Sequence, residues 1–173
     1  MKKLLLLSLF TAIILSADLF NFSQKRGVAP VTDRFYVQEC ASCHFAYQPG
    51  LLPERSWTKL MGNLQDHFKT DASLEPEDNQ RILNYLVENS ADKFTNYKRS
   101  KKINNSIQND ETPIAVTQTP YFIKKHRRIP KHLIAQKEVQ SLSNCIACHT
   151  TADKGIYSER AIKIPNYGRW DDD

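Results

Sequence analysis

The chain has 173 residues, 40% of them hydrophobic and 10% aromatic, with 24 Lys and Arg against 19 Asp and Glu. These figures exclude a disordered chain and a membrane-embedded helix bundle, and the length admits one or two small domains. The formal net charge of +5 falls to about +3 once Lys2 and Lys3 are set aside as part of a removable leader, which is too mild for a dedicated nucleic-acid binder.

In chain order, Lys2-Lys3 and the 14 residues from Leu4 to Ala17 give a positive start followed by an apolar run. This pattern predicts a secretory signal peptide over residues 1–17. The run is shorter than the roughly 20 residues of a spanning helix, and Asp18 interrupts it, so a membrane-spanning segment is not expected. Leu15 departs from the small residue favoured before a cleavage site, which leaves an uncleaved anchor as the alternative. Export in a chain of bacterial type places the mature protein in the periplasm.

Val31 to Glu39 reads as a short helix that Thr32 or Asp33 can cap, and it runs into Cys40-Ala41-Ser42-Cys43-His44. The same pattern returns at Cys145-Ile146-Ala147-Cys148-His149, so the two copies use all four cysteines of the chain. C-x-x-C-H is the attachment signature of c-type haem. A three-residue step on a helical turn aims both thiols along one porphyrin edge, where each forms a thioether, and the adjacent His meets the iron as proximal ligand. A four-cysteine zinc site or two disulfides would need no His after either pair, and no βαβ pattern surrounds them to support thioredoxin chemistry. The expected cofactors are therefore two covalently bound haem c groups.

After the first motif, Pro49-Gly50 and Pro53 predict an irregular loop over Phe45 to Pro53. Ser56 reads as the N-cap of a helix on which Trp57, Leu60, Met61, Leu64 and Phe68 recur at helical intervals. On that helix His67 falls beside Leu60 and about 120° from Met61, so His67 points into the apolar face and Met61 packs in the core. Pro76 opens a further helix with Ile82, Leu83, Tyr85 and Leu86 on one face. Short helices around one haem suit a class I cytochrome c arrangement. The polar stretch from Lys98 to Thr112 reads as a solvated linker, which gives an N-terminal haem domain over 28–97, a linker over 98–112 and a C-terminal haem domain over 113–173. Modules this small rarely stabilise themselves, so the macrocycle is expected to complete each core.

In the second module Thr119-Pro120 reads as N-cap and first helical position before Tyr121 to His126, and Pro130 ends anything helical. Ser143-Asn144 can cap the second motif, and Tyr157, Ile162, Ile164, Pro165 and Trp170 offer apolar cover without clear periodicity. The fold class expected is mainly α, with a largely irregular C-terminal part. Among the residues left to bind the far side of each iron, His67 is favoured for the first. His126 and His132 both stand open for the second, His126 sharing a face with Phe122 and Ile123. Lys124, Lys125, Arg127 and Arg128 surround His126 as a cationic collar that either steers an acidic partner or is simply solvated.

The run from Cys43 to Pro53, followed by Ser56-Trp57, Leu60-Met61 and Asp66-His67-Phe68, resembles the bacterial dihaem cytochrome c family often called DHC. Thr119-Pro120-Tyr121-Phe122, His126, Ile129-Pro130, Asn144-Cys145 and Ile162 to Pro165 extend the resemblance over most of the mature chain. It implies two bis-histidine haems: Cys40 and Cys43 with His44 and His67, and Cys145 and Cys148 with His149 and His126. It also implies periplasmic electron transfer, in some members to a monohaem, oxygen-binding cytochrome called SHP; a membrane cytochrome b is a further expected partner class. The function expected is a low-potential electron carrier and not an enzyme. The alternatives are a dihaem enzyme or gas-binding sensor with one open iron, and the small electron-transfer subunit of a periplasmic reductase.

Overall fold

The computed structural model describes residues 25–170, so the expected signal segment lies outside the described residues. The fold is mainly helical, as the caps and apolar spacing of the sequence predict: seven helices, five short 3₁₀ turns and one two-stranded hairpin among the described residues. Helix α1 spans Arg34–Cys40, and Asp33 caps it by accepting from Tyr36 N–H at 2.8 Å. Tyr36, the buried residue of α1, donates from its hydroxyl to the Tyr47 carbonyl at 2.8 Å. That bond holds the loop after the first motif against the helix that presents it.

Helix α2, Glu54–Met61, starts three residues earlier than the Ser56 cap predicts: Pro53 precedes it, and Ser56 lies fully buried within it. It also ends earlier than its apolar spacing suggests. Gly62 closes it with its N–H on the Thr58 carbonyl at 3.1 Å, and Leu64–Asp66 form a separate 3₁₀ turn. His67 and Phe68 are therefore not on the helix, because Gly62-Asn63 is a weak helical pair that yields to a turn. Met61 stays at 4% exposure in the core.

Helix α3, Pro76–Glu88, begins with proline at its first position as expected and buries Ile82 and Leu86. These pack on Tyr36, Leu52, Trp57, Met61 and Leu64 to form the larger core. Trp57 Nε1 donates to the Pro49 carbonyl at 2.8 Å, tying α2 to the irregular loop.

The stretch expected as a polar linker contains helix α4, Lys98–Asn104. Ile103 and Ile107 form a second buried cluster with Val28 and Leu51, so this segment is packed and not a solvated connector. The described N-terminal segment straps across it: Lys98 N–H bonds the Lys25 carbonyl at 2.8 Å and Arg99 N–H the Gly27 carbonyl at 3.0 Å. Val28 N–H then bonds the Gly155 carbonyl at 2.9 Å. Gly27 and Gly155 hold φ of +76° and +71°, and a Cβ on either would meet the opposing backbone at 2.1 or 2.4 Å, so only glycine permits this crossing.

The remainder is built from short pieces. Helix α5, Pro120–His126, has Thr119 as its cap, accepting from Phe122 N–H at 3.3 Å. Helix α6, Lys131–Ala135, follows Pro130 where the sequence reading anticipated no helix. Helix α7, Cys145–Cys148, carries the second motif; Asn144 occupies its cap position, but the side-chain amide bonds the Val139 carbonyl instead. Strands β1, Lys163–Ile164, and β2, Gly168–Arg169, pair antiparallel. Among the described residues no helix is long and apolar enough to cross a membrane.

Candidate functional site

The first motif leaves the C-terminal end of α1. Cys40 is its last residue, and Cys43 and His44 follow on an exposed turn. His44 Nδ1 lies 2.8 Å from the Phe45 carbonyl, and since a carbonyl only accepts, Nδ1 carries the proton and Nε2 keeps its lone pair. Facing it is the ring of His67, with centres 5.9 Å apart and planes 21° from parallel.

A two-residue turn sets His67. Phe68 and Lys69 hold φ of +53° and +71°, and His67 and Thr70 exchange backbone hydrogen bonds at 2.9 and 3.1 Å. Asp66 accepts from Lys69 N–H at 3.2 Å, so the unfavourable left-handed pair is fixed from both ends. The Phe68 ring stands edge-on to His67 at 4.9 Å. Burial, then the nearby His44, lowers the pKa of His67, which favours the neutral imidazole that can donate a lone pair.

The second motif repeats the arrangement with different supports. His149 follows α7, and His126 ends α5, with ring centres 6.1 Å apart and planes at 72°. His126 Nδ1 bonds the Phe122 carbonyl at 2.8 Å, and the Phe122 ring stacks on it at 3.8 Å and 12°. His149 Nδ1 is buried with no acceptor, and Tyr157 stands edge-on to its ring at 5.4 Å. Burial, then His126 and Arg99, pulls the His149 pKa down to about 4. His132, the other candidate, is exposed on α6 and lines no part of the cavity between these residues.

That cavity measures about 320 Å³ and is lined by apolar groups from α4, α5 and the C-terminal hairpin, with Cys145 and Cys148 on its wall. Burial, then Glu39, pushes the Cys40 thiol up to about 11, and burial raises the Cys145 thiol likewise to about 11. Neither is a reactive thiolate poised for disulfide exchange. Among the described residues no three His, Cys, Asp or Glu side chains gather in a metal-binding cluster.

Three residues that the sequence does not single out for the sites join them. Tyr47 packs on His44 at 5.4 Å and donates from its hydroxyl to the Ser143 carbonyl, just ahead of the second motif, at 2.6 Å. Its neighbour Gln48 is fully buried, donating to the Ala152 carbonyl at 2.5 Å and accepting from the Tyr157 hydroxyl at 2.6 Å. Arg99, read as part of a linker, bonds the Tyr121 hydroxyl and the Tyr157 carbonyl inside the second cavity. A polar residue inside a Pro-Gly loop gives no sequence signal for burial, and a basic run gives none for packing.

With metal–imidazole bonds of about 2 Å and about 1 Å more from nitrogen to ring centre, imidazoles on opposite faces of one metal sit about 6 Å apart. Both observed His–His separations match that span, and each pair stands beside a C-x-x-C step able to carry two thioethers. The residues present therefore fit a haem in each place.

A mainly helical chain with two such sites is a multihaem c-type cytochrome. It belongs to the dihaem cytochrome c family, DHC, whose model matches residues 36–157. Family membership brings two covalently bound c-type haems. A dihaem cytochrome c from Shewanella baltica OS155 is 37% identical, covers 80% of this chain and 97% of its own, and superposes with a TM-score of 0.65. A dihaem cytochrome c from Rhodobacter sphaeroides is also 37% identical, covers 75% of this chain and 100% of its own, and gives 0.66. No curated protein matches this chain.

Proposed function

We propose that this dihaem cytochrome is an exported, low-potential electron carrier in which His44 and His67 hold one iron and His149 and His126 the other. The observation that carries this reading is the pair of facing imidazoles at each site, 5.9 and 6.1 Å between centres. The haems supply one-electron exchange between ferric and ferrous iron. The chain supplies strong nitrogen ligands on both faces, which leaves no open position for a substrate and favours the ferric state more than a Met ligand would. Carbonyls of Phe45 and Phe122 orient His44 and His126 through Nδ1 and leave Nε2 directed away from the bond.

The signal-like residues 1–17 support export to the periplasm. Other redox proteins are the partners this reading requires: likeness to DHC proteins points to an SHP-type monohaem cytochrome, and a membrane cytochrome b is a further partner class. A reduced absorption spectrum with and without carbon monoxide tests it. Two closed sites give a spectrum that carbon monoxide leaves unchanged; a high-spin, carbon-monoxide-binding fraction would instead favour a dihaem enzyme or gas sensor with one open iron.

A further inference from the structure

The charge of the described chain is divided along its length. Residues 25–97 hold eight Lys and Arg against ten Asp and Glu, a net of −2, whereas residues 98–170 hold fourteen against five, a net of +9. Asp171 to Asp173, outside the described residues, lower the second figure only to +6. The excess is placed on particular elements. Helix α4 exposes Lys98, Lys101 and Lys102, and α5 and the residue after it expose Lys124 and Arg127.

These two helices pack on each other and line the second cavity from within, through Ile103 and Arg99 on one and Phe122 and His126 on the other. Their outward lysines therefore stand on the outer wall of the second site. Glu159 shows how closely the charges converge. Its bond to Lys125 at 2.6 Å is the main cause that holds its carboxyl below the usual range, with Arg99 and Lys102 adding to it. Apolar side chains lie exposed at the same site: Ile123 on α5 at 54%, and Ile146, between the two attaching cysteines, at 50%. Exposed apolar side chains at a redox centre beside charge of one sign suit a brief, steered encounter, in which charge sets the on-rate and a small contact allows fast release.

We propose that the outer face of α4 and α5 is the docking surface for an acidic redox protein, which exchanges electrons with the second site. This rests on the electron-carrier reading and adds to it the chemistry of one partner and the side on which it binds.

The test uses the fully loaded dihaem protein, with flavodoxin, an acidic low-potential redox protein, as the probe. Stopped-flow electron exchange should slow about tenfold or more between low and physiological ionic strength. The exposed double reversal Lys101→Glu with Lys102→Glu should lower the low-salt rate at least about tenfold and flatten its salt dependence. Reversing Arg34 and Lys59 to Glu changes net charge equally on the other part of the chain, and should leave the rate within about twofold. Equal losses in the two variants, or a salt-independent rate, overturn the proposal. So does an unchanged flavodoxin rate combined with lost sedimentation on phosphatidylglycerol vesicles, which would assign the face to a lipid surface. Carbon monoxide binding by the unsubstituted protein would refute the carrier reading by a separate signal.

Discussion

Phe122 explains why His126, and not His132, faces the second motif. One helical turn earlier on α5, it fixes the imidazole twice, by its ring at 3.8 Å and by its carbonyl on Nδ1 at 2.8 Å. His132, beyond Pro130, is exposed. His126→Ala should convert one low-spin haem to a high-spin, carbon-monoxide-binding centre, and His132→Ala should change neither spectrum. Two low-spin haems in the His126 variant would remove that pairing. The Thr119-Pro120 start and the four-residue step from Phe122 favour His126 in the sequence, but residues alone leave His132 open, and the family resemblance is what singles out His126. His67 is different: its candidacy is readable, but the continued helix invoked for it is wrong. Two left-handed residues, Phe68 and Lys69, form the turn that aims it, and no propensity announces such a turn without glycine.

Helix α4 shows how far composition misleads. Lys98 to Asn104 is polar enough to read as a connector, yet Ser100, Ile103 and Ile107 recur at helical spacing and are all buried. One apolar residue per turn is too thin a stripe to stand out, and its burial depends on Val28 and Leu51 from distant parts of the chain. Ile103→Ala should therefore cost about 2–5 kcal/mol, the range of a buried large-to-small change, while Lys101→Ala should stay within about 0.5 kcal/mol. Chemical denaturation of the loaded protein measures both, and equal, small effects would show that α4 contributes nothing to the core. Helix α2 errs in the opposite sense, since its apolar spacing continues past Gly62 while the helix does not. There the sequence carries a Gly-Asn stop signal within an apolar periodicity that runs past it.

The two halves are less separable than two modules joined by a connector would be. Gln48, four residues after His44, is sealed from solvent, and its side chain is satisfied by Ala152 and Tyr157, which belong to the surroundings of the second motif. Gln48→Leu strands the Tyr157 hydroxyl and leaves the Ala152 carbonyl with the Gly155 N–H alone. The loss should be about 1–3 kcal/mol. Because the contact bridges both sites, unfolding of the native protein followed at the haem band and by far-ultraviolet circular dichroism should give one coincident transition. The Gln48 variant should separate them. Separate transitions already in the native protein would mean that the bridge does not couple the halves. Long-range pairing of this kind, over 104 and 109 residues, cannot be read from a single sequence, because neither partner differs locally from an ordinary loop residue.

The angles between the facing imidazoles, 21° at the first site and 72° at the second, reach beyond packing. An imidazole acts on one of the two iron d orbitals of π symmetry about the iron–nitrogen bond, according to the direction of its plane. Near-parallel planes reinforce that splitting, and near-perpendicular planes cancel it. The oxidised protein should consequently show two magnetically distinct irons in low-temperature electron paramagnetic resonance: a rhombic, three-line signal from the first and a strongly anisotropic signal with one dominant low-field feature from the second. The His126→Ala variant should lose only the second, which makes each centre countable in the presence of the other.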